Sequence, residues 1–418
     1  MGHSVQKVLL LGGSYFQIPS ITTAKRLGYY AITCDYLPDN PGHKYADEYH
    51  NVSTTDKEAV LALAKQLNVD GVVCYASDPA ATTAAYVCEA MGFPTSPYKS
   101  VEILSNKDKF RAFLAANGFN TPRAKGYAYD EFDRMLEEIN QFKFPLMVKP
   151  VDSSGSKGVR KIGRVDELKD AVDGAMKYSR CKRFIIEEYV EKYGPQIAGD
   201  GFSVDGRLVF RCFANEHFET SGINPYVPIG ESFPYIMPPS THQKVHDEIQ
   251  RLLTALNMGT QAYNFDIRID ADENVYLMEI GPRNGGNLIP QVTKYATGVD
   301  MVEYTIKAAM GVSCDDLHMV EPKGYWACYV VHSQSSGVLK GVELDEKFRA
   351  ENVVEFDMHY AQGDRVSSFV GSNGTLGMMI LKFSSQDEML DKMNNMSRYV
   401  KVIVEPIQNI GGGGGMIF

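Results

Sequence analysis

The stretch AYNFDIRIDADENVYLMEIGPR, residues 262–283, constrains this chain more tightly than any other. Apolar and polar residues alternate, break at ADEN, and alternate again, which is the pattern of two β-strands joined by a turn. With ADEN as the turn, Asp266 lies directly opposite Glu279, while Phe265, Ile267, Ile269, Tyr276, Met278 and Ile280 share the other, apolar face. Like charges directly across a sheet repel. The pairing becomes favourable when a cation lies between the two acids, and carboxylates that also meet phosphate oxygens are a common Mg²⁺ site. Arg283 stands just past the second strand, placed to meet an anion. A lone hairpin with two solvated acids would be ordinary, so the weight of this reading depends on the rest of the chain.

Strands at 7–13, 30–36 and 71–76 alternate with helices near 20–27, 56–67 and 79–91. That order predicts a parallel sheet covered on both faces. Gly12–Gly13 ends the first strand, but GGSYFQ lacks the full GxGxxG pattern and reads as a tight strand-to-helix turn. Residues 105–118 read as a helix capped by Ser105, with Asp108 completing a capping box and Gly118 stopping it. A strand at 144–150, the loop VDSSGSKGV, a helix at 165–178 and a strand at 183–190 follow. Helix 241–257 leads to the hairpin. Beyond it come strands near 325–332 and 376–383, a helix at 386–398, and a glycine run at 410–415 that composition marks as flexible.

The 418 residues suggest about two to four domains. Lys+Arg 42 against Asp+Glu 52 gives a net charge of −10 with no basic block, which argues against nucleic-acid binding. The 7 cysteines are scattered without metal-ligand spacing and read as thiols of a reducing compartment. With no signal pattern and no run long enough for a membrane span, the expected location is the cytoplasm.

Several short segments carry further chemistry. Lys149 ends an apolar strand and is followed by Ser153, Ser154, Gly155, Ser156 and Gly158, small residues whose backbone N–H groups can approach phosphate oxygens. Walker A spacing is absent. In IIEEYVE, Glu187 and Glu188 close an apolar strand whose exposed end can read an adenine edge. Lys107 and Lys109 lie in the first turn of their helix, where cations oppose the helix dipole, so at least one serves another purpose. The loop 217–239, rich in aromatics and Pro, reads as a long excursion that helps form an acceptor pocket.

Taken in order, helix lysine, strand-end lysine, small-residue loop, strand EE and D…ExxxR resemble the ATP-grasp superfamily over roughly residues 1–400. The resemblance implies an α/β chain with the ATP-grasp fold, a Rossmann-like N-terminal domain and a C-terminal α+β accessory domain. The division expected is 1–104, 105–190, 191–315 and 316–410, with a flexible tail at 411–418. Counting back from Gly118 selects Lys107 over Lys109 as the first nucleotide lysine; Lys149 is the second, and residues 153–158 are the lid over the phosphates. Glu187, Glu188 and Val190 match the adenine hinge, Asp266 and Glu279 the metal acids, and Arg283 the arginine beside the reactive phosphate. Asn284, Gly285 and Gly286 then join Arg283 around the substrate.

Two departures stand out. The Asn that often follows two residues after the second metal acid is Gly281 here, leaving Asn284 or Asn287 to substitute and the second metal open. No Glu follows the hinge to bind ribose, leaving Asp200 or Gln196. The segment 362–390 resembles the accessory domain of biotin carboxylases and L-amino-acid ligases. The cofactors implied are ATP and Mg²⁺, with Mn²⁺ as an alternative. The activity implied is a carboxylate–amine ligase working through an acyl phosphate, with amino acids as expected substrates and a homodimer as the default assembly. The alternatives are a carboxylase or small-molecule carboxylate kinase on the same fold, or a non-catalytic ATP-binding regulator.

Overall fold

A computed structural model describes residues 5–406; the tail at 411–418 lies outside the described residues. Strands β1 (Lys7–Leu11), β2 (Tyr30–Cys34), β3 (Glu48–His50) and β4 (Gly71–Cys74) form a wholly parallel sheet in the order β3-β2-β1-β4. Their short apolar runs are buried because helices Ile18–Arg26, Lys57–Leu67 and Asp78–Met91 cover them. Helix Met301–Ala309, far along the chain, also returns to this sheet and packs Val302 and Ile306 with Val8 and Leu10. The Gly12–Gly13 turn is filled by protein. Gly12 has φ +110°, and a Cβ on Gly13 would lie 2.1 Å from the His43 ring.

Strands β5 (Ala124–Ala128), β6 (Leu146–Pro150), β7 (Arg160–Ile162) and β8 (Arg183–Glu188) form an antiparallel sheet in the order β5-β8-β6-β7. Val148 and Ile186 face a core built with helices Phe132–Glu138 and Leu168–Met176. Alternation then turns Lys149 and Glu187 to the opposite face, toward a cleft.

The expected helix 105–118 is two helices, Tyr98–Ser105 and Lys107–Ala116, meeting at Asn106. Ser105 ends the first and caps nothing. The Lys107 N–H instead donates to Val151 O at 3.1 Å, so loop backbone satisfies the helix start. Asp108 bonds Arg183 at 2.8 Å.

The remaining strands are β9 (Gln196–Val204), β10 (Arg207–Phe218), β11 (Pro228–Phe233), β12 (Gln261–Ile269), β13 (Val275–Gly281), β14 (Tyr325–Val331), β15 (Gly337–Leu344), β16 (Val353–Met358), β17 (Arg365–Val366), β18 (Gly377–Phe383) and β19 (Val400–Glu405). An eight-stranded sheet runs β13-β12-β9-β10-β11-β14-β18-β16, and a small one runs β17-β15-β19. The large sheet crosses residue 315: β11 pairs with β14 from Gly230–Tyr329 to Phe233–Trp326. Helix Pro239–Ala255 buries Val245, Ile249 and Leu252 on one face against Phe213, Phe265 and Ile267. Helix Ile289–Thr297 covers part of the other face, over Phe202, Phe210, Cys212 and Ala214. Among the described residues, no helix is long and apolar enough to cross a membrane.

The β12–β13 hairpin pairs Asp266 with Glu279 and Phe265 with Ile280, as the alternation predicts. Nearer the turn the register slips: Ile267 faces Leu277 and Ile269 faces Val275. A bulge at Met278 absorbs one residue, so Leu277 and Val275 join Phe265, Ile267 and Ile269 in one core, while Tyr276 stays half-buried and Met278 is buried apart from that cluster. The turn is wider than ADEN. Asp270 accepts from the N–H groups of Asp272 and Asn274, and Glu273 is left-handed at φ +60°. The expected loop 217–239 also differs, because residues 228–233 form β11. Pro228 is tolerated as its first residue.

Candidate active site

Two cavities meet at the Asp266–Glu279 pair. The first, of about 310 Å³, lies between the β5–β8 sheet and the large sheet; it is lined by Lys107, Lys149, residues 153–157, Tyr189, Gln196, Tyr226 and Arg268. The second, of about 230 Å³, lies beyond the two acids and is lined by Asp78, Glu216, Glu231, Arg283, Phe16 and Phe369 among others. Asp266, Glu279 and loop residues 154–156 line both.

Charge pairing in the first cavity is largely complete. Arg111 Nε donates to Glu187 Oε2 at 2.9 Å, and Lys149 bonds the other carboxylate oxygen. Burial works against the Glu187 carboxylate, but Arg111 and Lys149 outweigh it and hold its pKa down at about 2. Lys107 Nζ donates to Ser153 O at 2.9 Å and meets Glu279 Oε2 at 3.0 Å. Lys107 is therefore the cation beside one of the facing acids. Lys109 points outward to Glu102 at 3.1 Å.

Asp266 is left short of partners. Its Oδ1 is buried without a hydrogen bond. Burial, opposed by Arg268 and reinforced by Glu279, pushes the carboxyl above its ordinary range. An orphaned buried carboxylate oxygen facing a second acid fits a divalent cation. Mg²⁺ takes one or two carboxylates plus phosphate and water oxygens, so this donor set suits it.

The residues expected at an adenine hinge divide. Tyr189 lines the cavity, while Glu188 turns its carboxylate to the Lys143 N–H at 2.9 Å and Val190 O accepts from Arg268 at 2.9 Å. Of the two ribose candidates, Gln196 lines the cavity and Asp200 does not. Asp200 is fully buried under the RNGG segment, accepting from Gly285 N with both oxygens at 2.9 and 3.0 Å and from Asn264 at 3.0 Å. Burial, against those donors, pushes its carboxyl up to about 7. Arg283 and Gly286 line the second cavity, with Asn287; Asn284 and Gly285 lie beneath it. The 153–158 loop is tied down at two points: Ser156 Oγ donates to Tyr226 O at 2.7 Å, and Ser372 N donates to Gly155 O at 3.2 Å.

Arg283 has a partner that sequence alone did not single out. Its Nε and Nη2 donate to the two oxygens of Asp78 at 2.8 and 2.6 Å, the forked geometry that orients a guanidinium. Asp78 begins the helix after β4, so the parallel domain aims an arginine of the hairpin domain. This pair explains Gly281. A Cβ there would lie 3.2 Å from Arg283 Cζ and 3.3 Å from Asp78 Oδ1, so the glycine makes room for the ion pair. Arg111, Glu216 and Glu231 were also missed, each looking like a routine charge in its own segment.

Residues 142–291 match the ATP-grasp domain, and residues 330–405 match the L-amino acid ligase C-terminal domain 2. An uncharacterized protein of Sinorhizobium fredii is 27% identical over 279 residues, covering 64% of this chain and 55% of that protein. The formate-dependent phosphoribosylglycinamide formyltransferase of Burkholderia pseudomallei is 28% identical over 293 residues, covering 67% of this chain and 69% of that enzyme. The chain thus spans about half of the first relative's length. The crystal structure of an L-amino acid ligase from Bacillus licheniformis superposes with a TM-score of 0.79 at 20% identity, covering 97% of this chain and 100% of that one. At that identity the likeness carries the fold. The chain thus carries an ATP-grasp domain followed by an L-amino acid ligase C-terminal domain.

Proposed function

We propose that this protein is an ATP-dependent carboxylate–amine ligase that works through an acyl phosphate. The observation that carries the reading is the position of Asp266 and Glu279, shared by two cavities and flanked by Lys107 on one side and Arg283 on the other. The first cavity suits the nucleotide: Lys149 and Lys107 face its phosphates, the 153–158 segment covers them, and Tyr189 and Gln196 line the adenosine side. The second suits the carboxylate and its acceptor. Asp266 and Glu279 would hold Mg²⁺, which when bound offsets negative charge on the phosphate oxygens.

The chain's own residues do the rest. Arg283, held by Asp78, presents its guanidinium where a carboxylate oxygen attacks the γ-phosphorus and ADP departs. Lys107 and Lys149 balance the charge that accumulates on the phosphoryl oxygens. The lid, tied to Tyr226 and Ser372, excludes water that would hydrolyse the acyl phosphate. The amine nitrogen then attacks the acyl carbon, inorganic phosphate leaves with the C–O electron pair, and the nitrogen loses its protons to give an amide.

The test is ADP and phosphate release with Mg·ATP against amino acids offered singly and in pairs. Turnover that requires two amino acids supports a peptide-forming ligase, and turnover with one carboxylate alone favours a kinase. Glu279→Ala is expected to abolish turnover while leaving the fold intact; an active, Mg²⁺-dependent Glu279→Ala protein would sink the assignment.

A further inference from the structure

The second cavity holds more acid than the metal pair explains. Four strands of the large sheet carry a continuous polar row: Arg268 on β12, Gln196 on β9, Glu216 on β10 and Glu231 on β11. Gln196 and Glu216 are register partners, as are Glu216 and Glu231. Arg268 Nε donates to Gln196 Oε1 at 2.8 Å, and Gln196 Nε2 donates to Glu216 Oε2 at 2.6 Å. The relay of donors stops there. Glu231 is only 6% exposed, and its Oε2 is buried with no hydrogen-bond partner.

Two acids directly opposite each other on neighbouring strands repel, and an unpaired buried charge is costly. Burial comes first in pushing Glu231 well above the ordinary carboxylate range, and Glu216, Asp200 and Asp266 add to it while Arg283 opposes. Among the described residues, the one cation lining this cavity, Arg283, is committed to Asp78. A carboxylate left in this state inside a cavity is complementary to a cation that arrives with a ligand. Among the described residues, no three acidic, histidine or cysteine side chains converge as a metal site requires. A protonated primary amine fits better, since its separate N–H donors can reach carboxylates that surround a space without meeting at a point.

We propose that Glu231, with Glu216 beside it, is the subsite that takes in the amine substrate as its ammonium ion and removes the proton before attack. The proposal rests on the ligase reading and names the acceptor side of it. In the step, R–NH₃⁺ gives one proton to the Glu231 carboxylate, leaving R–NH₂ and a neutral carboxyl group. The freed lone pair bonds to the acyl carbon, and phosphate leaves with the C–O pair. The second proton is lost as the tetrahedral adduct collapses to the amide. A carboxylate whose neutral form is favoured by its surroundings is a stronger proton acceptor than an ordinary one.

The test is thermal unfolding of the full-length protein without nucleotide at mildly alkaline pH, where methylamine is still protonated. Methylammonium chloride is compared with tetramethylammonium chloride, which has no N–H, and with sodium chloride at equal ionic strength. Methylammonium is expected to raise the melting temperature of the wild type dose-dependently, and the shift is lost in Glu231→Gln. Equal shifts in all three salts, or a full methylammonium shift in Glu231→Gln, overturns the proposal. So does a Glu231-dependent shift produced by MgCl₂ alone, which would mark a metal site. If Glu231→Gln fails to fold, Glu216→Gln is read in the same way. The ligase reading is tested separately, by hydroxamate formation in the wild type from Mg·ATP, amino acids and hydroxylamine. Absence of hydroxamate beside an intact methylammonium shift sinks the ligase reading and leaves the ammonium site standing.

Discussion

Glu187 and Glu231 are both almost fully buried acids on antiparallel strands, the first bonded to Lys149 of the first cavity and the second lining the other cavity, yet their surroundings are electrically opposite. Glu187 touches two cations and is held ionised. Glu231 faces Glu216, feels the charges of Asp200 and Asp266, has an orphaned oxygen and is driven toward neutrality by burial and those acids. The difference separates two uses of a buried carboxylate. One completes the protein's own charge pattern and fixes Lys149 in place; the other is complete only when something binds.

The largest effect that would break this contrast is on stability. Glu187→Ala leaves Arg111 and Lys149 as uncompensated buried cations and is expected to cost about 3–5 kcal/mol, measured by denaturant unfolding. Glu231→Gln, at the same depth, is expected to be neutral or stabilising. Equal losses at the two positions would erase the distinction.

Next in size is Asp78→Asn. It removes the charged partner of Arg283 and is expected to cost about 2 kcal/mol and to slow carboxylate-dependent ADP formation. An unchanged rate would mean Arg283 is aimed without Asp78.

The contrast also predicts opposite responses to pH in the ligand-free protein. Glu187 has a lowered pKa in the fold, so its stabilisation is present above its ordinary value and is lost as pH falls toward about 2. Glu216 is raised to about 8, first by burial and then by Asp266, against Gln196, Arg268 and Lys192. The folded chain therefore keeps a proton that the unfolded chain has released. Stability falls as pH rises from near 4.5 toward about 8. Glu216→Gln should make that limb shallower, the remainder coming from Asp200, Asp266 and Glu231, and leave the acid limb unchanged, as followed by melting temperature across pH.

The smallest effect expected is Gly281→Asn, which crowds the Arg283–Asp78 pair and should cost about 1 kcal/mol or somewhat more. An unperturbed stability would show that the pair has slack.

The parts of this protein that were readable in sequence are those whose signal is local. The hairpin alternation, the lysine closing MVKP and the small-residue run after it depend on neighbours a few positions away. Asp78 and Arg111 were not readable, because their partners are Arg283 and Glu187, brought to them only by tertiary packing. Glu216 and Glu231 stand opposite only once β10 and β11 pair, and β11 was hidden in a proline-rich stretch that reads as loop. The bulge at Met278 was invisible for a related reason: a one-residue slip depends on the five-residue turn built by Asp270, not on alternation.

The continuity of the large sheet bears on how such chains can be recombined. β11 carries Glu231 on its register with Glu216 and is zipped along its other edge to β14. A chimera cut near residue 315 would give β11 a foreign neighbour, or none, leaving a row of unsatisfied backbone groups open to pairing with other molecules. Grafting the last hundred or so residues between relatives would thus disturb β11 beneath the second cavity as well as Phe369, Ser372 and Thr375, which line it. Exchanges that keep β9–β11 and β14–β18 from the same parent are the ones expected to express as soluble protein, and the ligand preference of the second cavity should travel with that block.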